Sequence, residues 1–219
     1  MIRLFDRLRI TRSDRICMID FWKPLRKYSS APYNGGTGYS YGYINRTVDQ
    51  NYNFDPDLEI PVFLKEHGLD EHAYTVTLTS CVISNAILLE RKLSSGSIFL
   101  SLTAGVSNAL SIGSDGTGGQ GTINIALVTD IGLDDAAAMN LYMSVCESKS
   151  QLLNDMDIRD RMTDQRVPGT STDTISIFVG NEEERSKYGG RLSEIGKVSS
   201  FMTYEAIRKA LKSDCRGEQ

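Results

Sequence analysis

The sequence predicts an α/β (or α+β) protein: a mixed β-sheet with helices packed on it, in a single domain. Three observations carry that expectation. Ile123-Asn124-Ile125-Ala126-Leu127-Val128 is a nearly unbroken apolar run, as in a strand covered on both faces. Asp134-Asp135 then opens a long segment in which Ala138, Leu141, Tyr142, Val145, Leu152, Leu153 and Met156 recur at helical spacing. Strand-like and helix-like patterns mix from end to end, so helices must cover a sheet.

In chain order, residues 2–9 read as a short helix or loose arm. Arg15–Phe21 has strand character, continued past Pro24 by Leu25–Ser29. Ser29-Ser30-Ala31-Pro32-Tyr33-Asn34-Gly35-Gly36 is a turn whose glycines let a ligand approach the backbone. Tyr39, Tyr41 and Tyr43 then alternate with small residues, so the three rings are expected on one strand face. That face is either packed on the core or a stacking wall for a large planar ligand. The polar stretch from Asp49 to Asp57 reads as turns, and Leu58–His67 as a helix stopped by Gly68. Tyr74–Thr79 alternates as a strand, Ile83–Lys92 reads as an apolar helix, and Ser97–Thr103 as the next strand. Asp173–Gly180 is a further strand, and Ser193–Lys212 a last amphipathic helix. The expected partition is a basic arm with the first strand over 1–24, the main domain over 25–212 and a tail over 213–219.

Composition excludes several function classes. With 40% hydrophobic and 24% charged residues, a 219-residue chain can bury a sizeable core without disulfides. Four cysteines without paired spacing and two histidines, His67 and His72, argue against a zinc site and fit a reducing cytoplasm. No cofactor and no metal are expected. The formal charge of −4 speaks against nucleic acid as a partner, and no apolar run approaches a membrane span. The charge is uneven: residues 1–30 carry eight Lys/Arg against three Asp. This is an exposed basic arm or a contact for an anionic ligand or partner. A homo-oligomer is compatible with all of this.

The chain's oddest residue is Lys149, which the helical wheel puts at the centre of the Ala138–Met156 apolar stripe. A buried ammonium is costly unless paired, so Lys149 is expected to face a cleft or a buried carboxylate. Small polar residues cluster where strands begin or end: Thr103, Asn108, Thr122, Asn124, Thr170, Ser171, Thr172 and Asp173. Each alone suits a turn or cap; as a set with Lys149 they suit a site that stabilises an oxyanion and moves protons. Gly113–Gly121 precedes a strand, the wrong order for a phosphate loop, and reads as a loop beside a site or a plain connection. Glu147 falls on the polar side of its helix.

Several phrases together resemble the adenosylcobinamide amidohydrolase family. They are Ser29-Ser30-Ala31 with Asn34-Gly35-Gly36, Asn45, Leu102 to Ala109, Gly121-Thr122-Ile123-Asn124-Ile125, Glu147-Ser148-Lys149, Gly169-Thr170-Ser171-Thr172-Asp173, and Tyr188-Gly189-Gly190 with Gly196. The resemblance implies hydrolysis of the amide joining adenosylcobyric acid to aminopropanol, in the archaeal-type recycling of cobinamide, with a corrinoid substrate. On this reading Asp173 orients a water, and Lys149 supplies positive charge or a proton. Thr172 is the alternative nucleophile. Asn34, Gly35, Gly36, Tyr41, Thr103, Asn108, Thr122, Asn124, Glu147, Thr170 and Ser171 contact substrate. Where the family usually carries His-Thr, this chain has Leu192-Ser193. That departure keeps two alternatives open: a corrinoid-binding protein without hydrolysis, and an amide or ester hydrolase of a different substrate.

Overall fold

The computed structural model describes residues 4–49, 51–116, 121–180 and 183–214. Its strands are β1 Arg9–Arg12, β2 Ile16–Ser29, β3 Gly36–Thr47, β4 Tyr74–Thr79, β5 Ile87–Lys92, β6 Ser97–Ala104, β7 Ala109–Leu110, β8 Ile123–Thr129, β9 Gly132–Leu133, β10 Gly169–Thr170, β11 Thr174–Val179 and β12 Arg185–Ser186. Its helices are α1 Pro56–Glu66, α2 Asp135–Asp155 and α3 Glu194–Asp214. Eight strands form one mixed sheet in the order β4-β3-β2-β11-β8-β6-β5, with β1 added along β2. Adjacent β8 and β11 are parallel and are joined through α2, the long crossover that a parallel pair requires.

The apolar run of β8 is buried at every position. Ile123, Ile125 and Leu127 face the helical layer, where Leu141, Val145 and Leu152 of α2 and Met202 and Ala206 of α3 close the main core. On the other face Val128, Phe99, Phe178, Ile19 and Tyr43 pack beneath Leu4 and Leu8. The helix α1 sets Ile60, Phe63 and Leu64 on Ile44 and Val76. Asp134 caps α2 by accepting from Ala137 N, and Asp55 caps α1 by accepting from Asp57 N. The sheet curls on itself. Asn45 of β3 donates to Thr103 of β6 at 2.9 Å and accepts from Asn124 of β8 at 3.0 Å, although neither strand is its neighbour in the sheet.

Two expectations are corrected and one open reading is decided. Ile83–Lys92 is not a helix: a 3₁₀ turn at Ile83–Asn85 leads into β5, which pairs antiparallel with β6 along its whole length. The run is short and apolar enough for either state, and the open edge of β6 decides it. Of the two readings of residues 2–9 the short helix holds, as a 3₁₀ turn over Phe5–Arg7, with Leu4 and Leu8 buried. As expected, β2 continues past Pro24, as a single 14-residue strand. The three tyrosines do not share one environment. Tyr43 is core, its hydroxyl 2.7 Å from Thr77 Oγ1, while Tyr39 and Tyr41 are 54% and 56% exposed. The change falls where β2 carries extra residues between Asp20 and Leu25, opposite Gly42 and Ser40.

Candidate active site

A cavity of about 440 Å³ opens where β8 and β11 begin and where β2, β4 and β6 end. Its walls come from separate segments: Ser30 and Pro32 after β2, Val48, Asp49 and Tyr52 after β3, Leu78, Thr79 and Ser80 at the end of β4, Asn108, Gly121 and Thr122 before β8, and Ser171, Thr172, Asp173 and Thr174 before and at the start of β11. The volume lies in the range of small-molecule sites.

Lys149 is 7% exposed and its ammonium is paired with Asp173 Oδ2. The helical stripe therefore does deliver a lysine to a buried carboxylate. Asp173 is the hub of its turn. Oδ1 accepts from Ile123 N at 2.9 Å and Thr170 Oγ1 at 2.6 Å, and Oδ2 accepts from Thr170 N at 3.0 Å as well as from Lys149. A carboxylate offers about four acceptor positions, and all are taken. Gly169 must lack a side chain here. A Cβ at that position would lie 2.3 Å from Asp173 Oδ2 and 2.4 Å from Lys149 Nζ.

Beneath the cavity a fully buried polar chain sets the hydroxyls above it. Asn124 donates to Asn45 Oδ1 and to Leu78 O at 2.8 Å. Its own Oδ1 therefore accepts from Thr174 Oγ1 at 2.8 Å and faces Thr122 Oγ1 at 3.3 Å. Thr122 Oγ1 also donates to Thr172 O at 2.9 Å, and Thr172 Oγ1 to Gly121 O at 3.2 Å. Asn108 donates through Nδ2 to Ser171 Oγ at 2.9 Å, which leaves the Ser171 proton available for a ligand. Tyr52 is held neutral: burial, with its hydrogen bond to Glu59, pushes its pKa up to about 12.

Of the expected site residues, Asp173, Thr172, Ser171, Thr122 and Asn108 reach the cavity. Thr170 and Lys149 hold it from behind, and Asn124 and Thr103 lie buried below it. Asn34, Gly35 and Gly36 form the turn beyond Ser30 and Pro32. Asn34 and Gly36 there have φ +48° and +71°, the left-handed region that the Asn-Gly-Gly composition suits. Glu147 and Tyr41 do not reach the cavity. Glu147 is exposed and bonded to Arg191 Nε at 3.1 Å, as its place on the polar side of the wheel demands, and Tyr41 lies on the exposed part of β3. Sequence reasoning left Asp49, Tyr52, Thr79 and Ser80 out of the candidate set; they follow strand ends, and that position was the available signal. Leu192 is fully exposed, and Ser193 caps the start of α3 by accepting from Gly196 N at 3.1 Å. Neither lines the cavity. Among the described residues no group of three His, Cys, Asp or Glu could hold a metal, and no helix is long and apolar enough to cross a membrane.

Fold and cavity together define an α/β protein with a cleft of small-molecule size whose wall carries hydroxyl and amide groups able to hydrogen-bond a polar ligand. The sequence profile of adenosylcobinamide amidohydrolase matches residues 1–218, and the chain belongs to that family. It is 28% identical over 127 residues to an "Adenosylcobinamide amidohydrolase" of Halobacterium salinarum (strain ATCC 700922 / JCM 11081 / NRC-1). That match covers 54% of this chain and 52% of the relative, so it spans about half the length of each.

Proposed function

We propose that this protein hydrolyses the amide between adenosylcobyric acid and aminopropanol in adenosylcobinamide, in the salvage of cobamides in the cytoplasm. One observation carries the reading: phrases that the family resemblance picks out far apart in the chain, at Ser30, Asn108, Gly121-Thr122 and Ser171-Thr172-Asp173, all wall one cavity.

In this reading the aminopropanol arm enters the cavity and the corrin stays at its mouth. Asp173 is saturated, so the water-orienting role passes to Asp49, the other carboxylate in the wall, whose Oδ1 is steadied by Arg15 at 2.6 Å. Asp49 takes a proton from the attacking water and returns it to the departing amine, giving a carboxylate and free aminopropanol. Ser171 and the second Nδ2 proton of Asn108 donate to the developing oxyanion. Thr172 is a poorer nucleophile, because its hydroxyl proton is directed to Gly121 O and no described base stands beside it. The Lys149–Asp173 pair shapes the turn that presents Ser171 and Thr172.

The test is incubation with adenosylcobinamide and chromatographic analysis of products. Release of aminopropanol with equal formation of adenosylcobyric acid is expected. Tight binding without products would support the second reading, a corrinoid-binding protein, which the absence of a histidine from the described cavity wall favours.

A further inference from the structure

A second ammonium, Lys27, is buried without a carboxylate. It projects from β2, is 2% exposed, and forms no ion pair among the described residues. Its Nζ donates to Asn34 Oδ1 at 2.6 Å and to the backbone carbonyl of the same residue. Burial draws its pKa below the usual lysine value. A methionine of similar length would fill the space without desolvating a charge. It could not donate to both Asn34 oxygens.

Asn34 is what that ammonium holds. Its φ is +48°, its Nδ2 donates to His72 O at 3.2 Å and Tyr74 O at 3.0 Å, and its carbonyl also accepts from Thr75 Oγ1 at 3.2 Å. It ties the turn after β2 to β4 and the loop before it. The turn is tight: a Cβ at Gly35 would stand 2.3 Å from Ala31 O. Ser30 and Pro32, at its start, are cavity wall, and Ser30 is pinned by Ile175 N on its Oγ at 3.0 Å.

We propose that Lys27 is a positioning residue for the cavity: by bonding Asn34 it holds the turn over residues 30–36 in the shape that puts Ser30 and Pro32 in the wall, and so sets substrate affinity. This rests on reading the cavity as the adenosylcobinamide site. The chemical step, carried by other residues of the wall, does not depend on it.

The experiment compares wild type, Lys27→Met, Asn34→Ala and the double variant. It measures amide hydrogen exchange across residues 30–36, equilibrium binding of adenosylcobinamide, and KM and kcat for its hydrolysis. Each single variant should speed exchange in the turn and raise Kd and KM about tenfold, the loss of one charge-assisted hydrogen-bonding arrangement, with kcat within about twofold. The double variant should lose no more than either single. Unchanged exchange and affinity in a folded Lys27→Met, or a fall in kcat at constant KM, would overturn the proposal. If Lys27→Met does not fold, Asn34→Ala is judged by the same outcomes. A wild type that binds without hydrolysis removes the enzymatic reading and leaves exchange and Kd to decide. A wild type that does not bind removes the adenosylcobinamide site itself, and with it the affinity role of Lys27.

Discussion

Two lysines lie buried behind the wall of one cleft, and they are held by opposite means. Lys149 meets the carboxylate of Asp173, which also gathers the backbone of Thr170 and Ile123. Lys27 meets only the neutral oxygens of Asn34. Each fixes a turn that supplies cavity wall: residues 169–173 in one case and 30–36 in the other. The difference teaches how a buried charge can serve a site. A compensated pair is a rigid strut whose loss leaves a second charge stranded. An uncompensated ammonium is a set of donors bought at a desolvation cost, and its hold depends on keeping its proton.

The largest expected effect breaks the strut. Lys149→Met leaves the Asp173 carboxyl buried without its cation and should cost about 3–5 kcal/mol in urea unfolding at neutral pH. Adding Asp173→Asn should recover part of that loss, because no stranded charge remains; a double variant less stable than the single would show that the charges are not coupled.

Gly169→Ala attacks the same strut from outside. Its methyl would have to displace the Asp173 and Lys149 side-chain ends, at about 1–3 kcal/mol, read as a lower midpoint of thermal unfolding. The same substitution at Gly36, where a Cβ meets nothing within 4 Å but φ is +71°, costs only backbone strain and gives the reference.

The next prediction sharpens the contrast through pH. The folded-state pKa of Lys27 is drawn below the free value of 10.5 by burial. Between those two values the unfolded chain holds more protons, so stability contributed through this group rises with pH. Below the lowered pKa the burial penalty is fully present; above 10.5 it is gone. Lys27→Met should lack this rise, so that wild-type stability gains on the variant as pH climbs through that window; the same alkaline slope in both would count against a desolvated ammonium.

The smallest effect lies outside both walls. Leu192→His places the residue that the family resemblance implies at a fully exposed position that does not line the cavity. Turnover of adenosylcobinamide should stay within about twofold of wild type, as for surface substitutions generally. A large gain would extend the site to the start of α3.

Much of the scaffold was legible because its signals are local. β4 and the cores of β6, β8 and β11 followed from apolar runs or period 2, and α2 from Asp134 and the spacing of Leu141, Val145 and Leu152. The same wheel singled out Lys149, and turn composition singled out residues 169–173. Ile87–Lys92 was misread because a six-residue apolar-then-charged run suits a strand or a helix until the edge of β6 is there to pair with it. The unequal burial of Tyr39, Tyr41 and Tyr43 follows from what covers β3, including the irregular pairing with β2, and has no signature in β3 alone.

By itself the sequence determined which residues share a face of one element, which turns can take left-handed backbone, and that a lysine in an apolar stripe needs a partner. Only the tertiary structure decided that the partner is Asp173, that this carboxylate has no acceptor position left for a water, and that Asp49 and Thr79 line the same cavity as Thr172. The reason is physical. Periodicity reports geometry within a segment, whereas the cavity is made by the curl of the sheet, which brings Asn45 of β3 against Thr103 of β6 and Asn124 of β8, strands that are not its neighbours.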